Sequence, residues 1–460
     1  MSTVKDTMRD VNAAWKVWRD HPLRFAVFTV LGVLYLVIAA SFGAVRGFMF
    51  FVLGVGLIVW AALYAWKRWV GAPVKTWWAG LPKWTRPAGL TLFVVFLYLL
   101  VNPFFKFYEN LGFPFPGVGY VPLYTTGNDM AAVMFNCGWI ILLSLGLNVV
   151  VGYAGLLDLG FFGFFAVGAY TVALLTSPES KLITQYNWFH SPWPWLITVP
   201  IAISLTMLTG VLLGWPTLRL RGDYLAIVTL GFAEMIRVIA KNQDWILNGD
   251  RGIPSVGHPP GSINGKPIFA FDFAPYYWLV LTVIIIVIFL IRNLARSRVG
   301  RAWIAIREDE DAAELMGVET FKFKLWAFAI GAAVGGLSGA VWAGQNNFVN
   351  SATFSLENSI LVLAAVLLGG AGNIGGAILG GFLVIYVPEW LRSVGDIFGL
   401  PTTANLFGVS IDVSPTSLRF AFFGIALIIV MIFRPQGLWP NRRRAAELRD
   451  RAKEVMVGEQ

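Results

Sequence analysis

The chain has 460 residues, of which 57% are hydrophobic, 15% aromatic and only 13% charged, whereas water-soluble domains carry roughly 25% charged residues. That shortfall excludes an ordinary globular surface and directs much of the exterior toward lipid. The single cysteine, Cys137, excludes an intrachain disulfide and a cysteine metal cage. His21, His190 and His258 have no second ligand three or four residues away, so no metal site is expected.

Residues 1–24 lack a compact apolar core with a small-residue cleavage site and are expected to persist as a basic lead-in. Apolar blocks near the length that crosses a hydrocarbon core of about 30 Å then follow, at approximately 25–44, 48–66, 88–105, 131–152, 160–176, 193–214, 224–240, 276–292, 325–344, 359–372, 374–391 and 418–433. The blocks at 160–176, 224–240 and 359–372 are short or polar enough to be re-entrant. The expected fold is therefore an all-α polytopic membrane protein of about ten to twelve helices.

Lysine and arginine gather before residue 25, between 66 and 88, at Arg219 and Arg221, from Arg292 to Lys324, and after residue 433. With an even number of spans these groups share one side, so both termini are expected in the cytoplasm. The long connections 106–130, 241–275 and 392–417 carry few basic residues and fall outside. The net charge of +9 thus reads as a topology signal and not as a nucleic-acid surface; the arginine-rich tail is expected to touch anionic lipid headgroups.

Helices in lipid associate through close backbone approach at small residues. Gly331, Gly335 and Gly339 form one such stripe, and Gly372, Gly376 and Gly380 repeat the spacing. Two helices of this kind can approach tightly and slide or tilt, although plain packing explains the stripes equally well. Gly370 to Gly375 matches a G-x-G-x-x-G fingerprint, but between two membrane blocks it lacks the strand and helix that motif requires. No G-x-x-x-x-G-K-[ST] loop occurs, so any energy from ATP would have to arrive through a partner.

The connection 294–324 carries charges of both signs and is expected to form two short helices, Val299–Ile306 and Asp309–Met316, the second ended by Gly317. Glu308, Asp309, Glu310 and Asp311 suit the positive end of a helix dipole. Such a helix has little core of its own and suits a partner's groove. Asp311-Ala312-Ala313-Glu314-Leu315-Met316-Gly317 resembles the EAA-x-x-x-G coupling motif of ATP-binding-cassette importer permeases, with Asp311 in place of its glutamate. Gly146 to Gly160, Arg219 to Gly231, Ser297 to Ala302, Leu368 to Gly376 and Arg434 to Leu438 resemble, in that order, the LivM-type permeases of branched-chain amino acid importers.

The resemblance spans about residues 130–440. It leaves residues 1–87, with two apolar blocks, as an N-terminal extension before a permease domain at 88–433 and a basic tail at 434–460. It implies a bacterial inner-membrane subunit without catalysis or a bound cofactor. Its partners would be a second, homologous permease, two ATP-binding subunits that use the ATP, and a periplasmic binding protein that delivers Leu, Ile or Val. Asp311, Ala312, Ala313, Glu314 and Gly317 would then couple to the ATPase.

Ionisable groups inside spans are costly and hence candidates for function. Asp158 lies at a turn between blocks, where a helix-terminus role and a gate role both remain open. Glu234 and Arg237 share a helical face and can pair, and Glu389 with Arg392 repeats the spacing near a membrane exit. Asn136, Asn148 and Tyr153 suit a pathway for a zwitterion with an aliphatic side chain, which needs few hydrogen-bonding groups in apolar walls. Two other readings stay open: the same importer class carrying urea, amides or other amino acids, and an ion-driven transporter.

Overall fold

The computed structural model describes residues 129–186, 191–220, 222–263, 266–269, 272–397 and 437–439, with short pieces at 94–95, 97–98, 112–115, 119–122, 403–406 and 409–412. The extension 1–87, the blocks expected at 25–44, 48–66 and 418–433, most of 88–105, His21, His190 and the tail beyond 437–439 lie outside the described residues. The chain divides into two compact units, 98–394 with 418–460, and 1–97 with 395–417. Within the second, Thr403–Leu406 and Val409–Asp412 form an antiparallel hairpin with Thr403 opposite Asp412.

In the first unit, helix α1 (Met130–Leu147) starts where the Asp129 carboxylate accepts the Ala131 amide at 3.1 Å. It runs into a π-helical segment, Asn148–Tyr153. Helix α2 (Phe161–Thr176) follows a short turn. Helix α3 (Trp195–Thr217) tolerates Pro200 in its first turns and also contains Pro216; the Ser204 hydroxyl bonds the Pro200 carbonyl at 2.8 Å. Helix α4 (Asp223–Asn242) begins after Gly222, whose φ is 62°.

Helix α5 (Phe273–Arg296) returns the chain to the segment with helices α6 (Arg298–Glu308) and α7 (Glu310–Leu315). The long helix α8 (Thr320–Asn346), α9 (Leu356–Gly369) and α10 (Ile374–Ile397) complete the unit.

Among the described residues, six stretches are long and apolar enough to cross a membrane: Met130–Tyr153, Phe161–Thr184, Trp195–Thr217, Phe273–Arg296, Thr320–Asn346 and Ser351–Gly369. The protein is thus a mostly helical, polytopic membrane protein. The shorter Ile374–Trp390 is also apolar. Helix α4 is not in that set, because Glu234, Arg237 and Lys241 interrupt its apolar run.

Helix α8 is the centre of the packing. A Cβ at Gly331 would meet the Val150 side chain at 2.5 Å and the Gly146 carbonyl at 3.2 Å, and one at Gly335 would meet Phe161 and Phe164 at 3.3 Å. Gly339 lies against the Phe165 carbonyl and the Ala169 amide of α2. On the adjoining face Gly336 abuts Thr206 of α3 and Gly168 of α2. The second stripe serves another contact: Gly376 and Gly380 of α10 lie against the Gly369 and Ala365 carbonyls of α9. The two stripes therefore each clasp a different neighbour. Gly372 corrects the expectation further, since it precedes α10 in a turn at φ 84° and helical spacing no longer applies to it.

The described connection after α4 is held down at several points between Ile253 and His258. Ile253–Pro254 pairs antiparallel with Phe348–Val349, the Ser177 hydroxyl donates to the Pro254 carbonyl at 2.6 Å, and the Gly257 amide donates to Thr176 Oγ1 at 2.9 Å. His258 sits in this loop, its Nδ1 2.7 Å from the Tyr276 hydroxyl and 2.9 Å from the Gly344 carbonyl.

Candidate functional site

The two short helices expected between 294 and 324 are present, with boundaries shifted by one or two residues. The Ser297 hydroxyl opens α6, and the Asp309 carboxylate opens α7 by accepting the Ala312 amide at 3.0 Å. At the other end of α7 the Val318 amide donates to the Ala313 carbonyl at 3.0 Å and the Gly317 amide to the Glu314 carbonyl at 2.9 Å. Gly317 has φ 82° with nothing within 4 Å of a Cβ built there. This pair of bonds closing on a left-handed glycine is the Schellman arrangement.

Six residues are too few for a stable isolated helix, so α7 depends on its caps and on what it rests against. Its inner face is Ala313, which is buried. Glu310 is joined at 2.5 Å to Lys324, whose side chain is only 4% exposed. Beside them Trp303 of α6 is buried and donates from Nε1 to the Phe323 carbonyl at 2.7 Å. The outer face is the reverse: Leu315 is 89% and Met316 85% exposed, next to the carboxylates of Asp311 and Glu314. Two large apolar side chains thus stand outward at the end of a firmly seated helix.

From α6, Arg307 reaches away from this surface. Its guanidinium Nη1 donates to the Gly152 carbonyl at 2.5 Å, inside the π-helical segment. Gly372 lies close by, where a Cβ would stand 2.8 Å from Arg307 Nη1 and 2.9 Å from the Gly152 carbonyl. The Gly372 amide donates to Asn148 Oδ1 at 2.8 Å. The same turn is gripped from the tail: the Leu438 and Trp439 amides donate to the Leu368 and Gly369 carbonyls at 2.9 Å, and Asn373 Nδ2 donates to the Trp439 carbonyl at 2.9 Å. A cavity of about 180 Å³ lies between these parts, bordered by Gly155, Leu157, Leu220, Arg307, Glu310 and Lys324.

The residues singled out for a solute pathway are not gathered in one place. Asn136 is half-buried on α1, where its Oδ1 accepts Trp139 Nε1 at 3.1 Å. Trp139 belongs to an aromatic group with Phe165 and Trp342, at centroid distances of 5.2 and 6.5 Å. Asn148 and Tyr153 are buried in the π-helical segment, at the other end of the same continuous span. Asp158 is buried in the turn before α2, where its Oδ1 accepts the Gly160 amide at 2.8 Å. Burial pushes its carboxyl from the usual 3.8 up to about 6, against the opposing pull of the Gly160 N–H and the Thr229 hydroxyl.

Glu234 and Arg237 of α4 form the ion pair that their spacing allows, with Arg237 Nε 3.0 Å from Glu234 Oε2. The side chain of Arg392 lies outside the described residues. Lys324, Glu310 and Arg307 escaped the sequence reading as individuals. Lys324 and Arg307 had the look of topology markers, and only the odd placement of Lys324 within the apolar start of α8 hinted at burial.

The model of a family described as branched-chain amino acid transport system / permease component matches residues 130–431. The permease protein LivM of the high-affinity branched-chain amino acid transport system of Escherichia coli (strain K12) is 36% identical over 331 residues, covering 68% of this chain and 70% of that protein. Its counterpart in Salmonella typhimurium is 35% identical over 328 residues, covering 67% and 69%. A probable LivM of Methanocaldococcus jannaschii is 26% identical over 339 residues, covering 68% and 94%. No solved structure matches the chain significantly. The match over most of the described helices, with the relatives' identity over two thirds of the chain, shows that this protein belongs to the family of permease components of branched-chain amino acid transport systems.

Proposed function

We propose that this chain is a membrane-spanning permease subunit of an ATP-driven importer, that its cargo is a branched-chain amino acid, and that α7 with Gly317 is its seat for an ATP-binding subunit. The observation that carries the coupling assignment is the two-sided build of α7: Ala313 and Glu310 lock it to the body of the protein while Leu315 and Met316 stand outward. In the working assembly a second, homologous permease and two ATP-binding subunits join this chain, and a periplasmic binding protein loads it. ATP is bound and hydrolysed by those partners, and this chain needs no cofactor of its own.

The topology proposed is ten to twelve helices in a bacterial inner membrane with both termini cytoplasmic, so that α6, α7 and the Arg219 region face the ATPase. The connection between α4 and α5 then faces the binding protein. An open recess of about 510 Å³, lined by Pro254, Ser255, Phe273, Gln345, Asn346 and Asn347, offers amide groups on that side. The N-terminal extension 1–87 and the basic tail are additions around the permease domain at 88–433.

Reconstitution tests this reading. Vesicles holding the complete assembly, loaded binding protein and ATP are expected to accumulate leucine, and vesicles holding this chain alone with an ion gradient are expected not to. Accumulation by the chain alone would overturn the ATP-driven reading. Direct binding of leucine, isoleucine, valine, urea and short amides to the cognate binding protein decides the cargo.

A further inference from the structure

The exposed surface of α4 carries an ion pair that the exposed apolar surfaces of α3 and α5 lack. Leu205, Leu208 and Leu212 of α3, and Ile286, Phe289 and Leu290 of α5, are exposed and suited to lipid tails. Helix α4 buries Leu225, Ala226, Thr229 and Ala240 and turns outward a largely apolar face with Tyr224, Ile227, Val228, Gly231, Met235 and Val238. The Glu234–Arg237 ion pair flanks that face, its side chains 40% and 35% exposed. Glu234 lies eleven residues after Asp223, or about 16 Å along the helix axis, which in the ten-to-twelve-helix topology proposed above is close to half the thickness of a hydrocarbon core of about 30 Å.

An ion pair at that depth on a lipid-facing surface is expensive, and ionisable residues inside membrane proteins turn toward other protein or water. Gly231 leaves open space in front of the pair, since nothing lies within 4 Å of a Cβ built there. A carboxylate beside a guanidinium, with the exposed apolar side chains of Ile227 and Val238 on the same helix, matches a zwitterionic amino acid with an aliphatic side chain. The ammonium group of such a solute meets Glu234, its carboxylate meets Arg237, and its side chain meets Ile227 or Val238. Resting on the permease reading above, we propose that this face of α4 borders the water-filled solute pathway and that Glu234 and Arg237 contact the passing amino acid.

Cysteine labelling in the assembled importer tests the placement. The native Cys137 is buried at 1% exposure and gives a quiet background. Gly231→Cys and Val238→Cys are expected to react with a membrane-impermeant thiol reagent, while Leu208→Cys on α3 stays unlabelled. Absence of labelling at both α4 positions overturns the proposal; quenching there by brominated lipid would mean a lipid face, and a disulfide to the second permease a dry subunit contact. ATP-driven leucine uptake by the unsubstituted importer in the same vesicles checks the permease reading separately.

The solute contact has its own test. The double variant Glu234→Gln/Arg237→Gln removes both charges without stranding one. Leucine uptake is expected to fall at least about tenfold, since both charge-assisted contacts are reduced to neutral hydrogen bonds, while Gly231→Cys in that background still labels. Unchanged uptake, or loss of uptake together with loss of labelling, would overturn the contact.

Discussion

Replacing Gly317 separates the shape of the coupling segment from its chemistry. The residue holds φ 82° with empty space around the position of a Cβ, so a side chain meets no neighbour and its whole penalty is backbone strain. A left-handed conformation costs an L-residue roughly 1–2 kcal/mol, with β-branched valine near the upper end and asparagine well below it. Helix α7 has only six residues, Glu310–Leu315, so little else resists fraying. A shift of 1–2 kcal/mol changes an equilibrium by roughly 5- to 30-fold. Gly317→Val is therefore expected to weaken capture of the ATP-binding subunit by about that factor, Gly317→Ala by less and Gly317→Asn least. Binding of purified ATP-binding subunit to permease in nanodiscs measures the order, and leucine uptake should follow it. If valine binds as tightly as asparagine, the left-handed turn is not what the partner reads, and the coupling assignment fails with it.

Lys324→Met leaves Glu310 without its cation at a largely buried site and is expected to lower the stability of the coupling segment by up to about 3 kcal/mol, less than a fully enclosed pair because Glu310 keeps some contact with water; faster hydrogen exchange confined to 298–318 is the readout, and Lys324→Met/Glu310→Gln should recover part of it. Arg307→Ala removes the bond to the Gly152 carbonyl and is expected to leave ATPase binding intact while leucine uptake per ATP hydrolysed falls several-fold; an unchanged ratio would remove Arg307 from the coupling route. Asp158 has its folded pKa raised to about 6, so its contribution to stability is fully present below the usual carboxylate range and is lost as pH rises from about 4 through 6. The ionised form then costs about 3 kcal/mol at neutral pH. Asp158→Asn is accordingly expected to raise the thermal midpoint at pH 7.5 and to flatten its change between pH 4 and 6, and a lowered midpoint at pH 7.5 would contradict the burial argument.

The helices were legible because lipid demands long apolar runs, and those runs end where the chain must turn. The expected blocks at 131–152, 193–214 and 325–344 became Met130–Tyr153, Trp195–Thr217 and Thr320–Asn346. Gly317 was legible for a different reason: a glycine after a short charged run has few uses other than a left-handed helix end. The π-helical turn at Asn148–Tyr153 was not, because Asn-Val-Val-Val-Gly-Tyr carries no local mark that separates a widened turn from an ordinary one. Contacts such as Arg307 with Gly152, or Trp439 with Gly369, join residues far apart in sequence, and apolar periodicity holds no information about them. Gly372 shows the limit most clearly. Its spacing from Gly376 and Gly380 suggested a helical stripe, yet the turn that ends α9 intervenes and its amide instead meets Asn148.

On the coupling proposed above, the connections around Arg307 would let a small surface helix move a membrane domain. A push on Leu315 and Met316 would not be absorbed by rotation of α7 alone, because Glu310 is tied to Lys324 at the start of α8 and Trp303 of α6 to the carbonyl of the adjacent Phe323. The displacement must pass into α6, whose last turn carries Arg307. The guanidinium then acts on a carbonyl in a π-helical segment, where the regular i to i−4 ladder is already replaced by wider rings and a change of pitch breaks fewer bonds than in an α-helix. Asn148 in that segment holds the Gly372 amide just ahead of α10, and α10 rests on α9 through glycines that leave backbone against backbone. Stiff where the partner pushes and compliant at Asn148–Tyr153, this arrangement predicts that a bulky substitution at Gly152, where the Asn148 side chain and the Gly372 amide already fill the space for a Cβ, disrupts uptake more than one at Gly317. Gly152→Val should abolish leucine uptake while ATP-binding subunits still bind; retained uptake would locate the compliant element elsewhere.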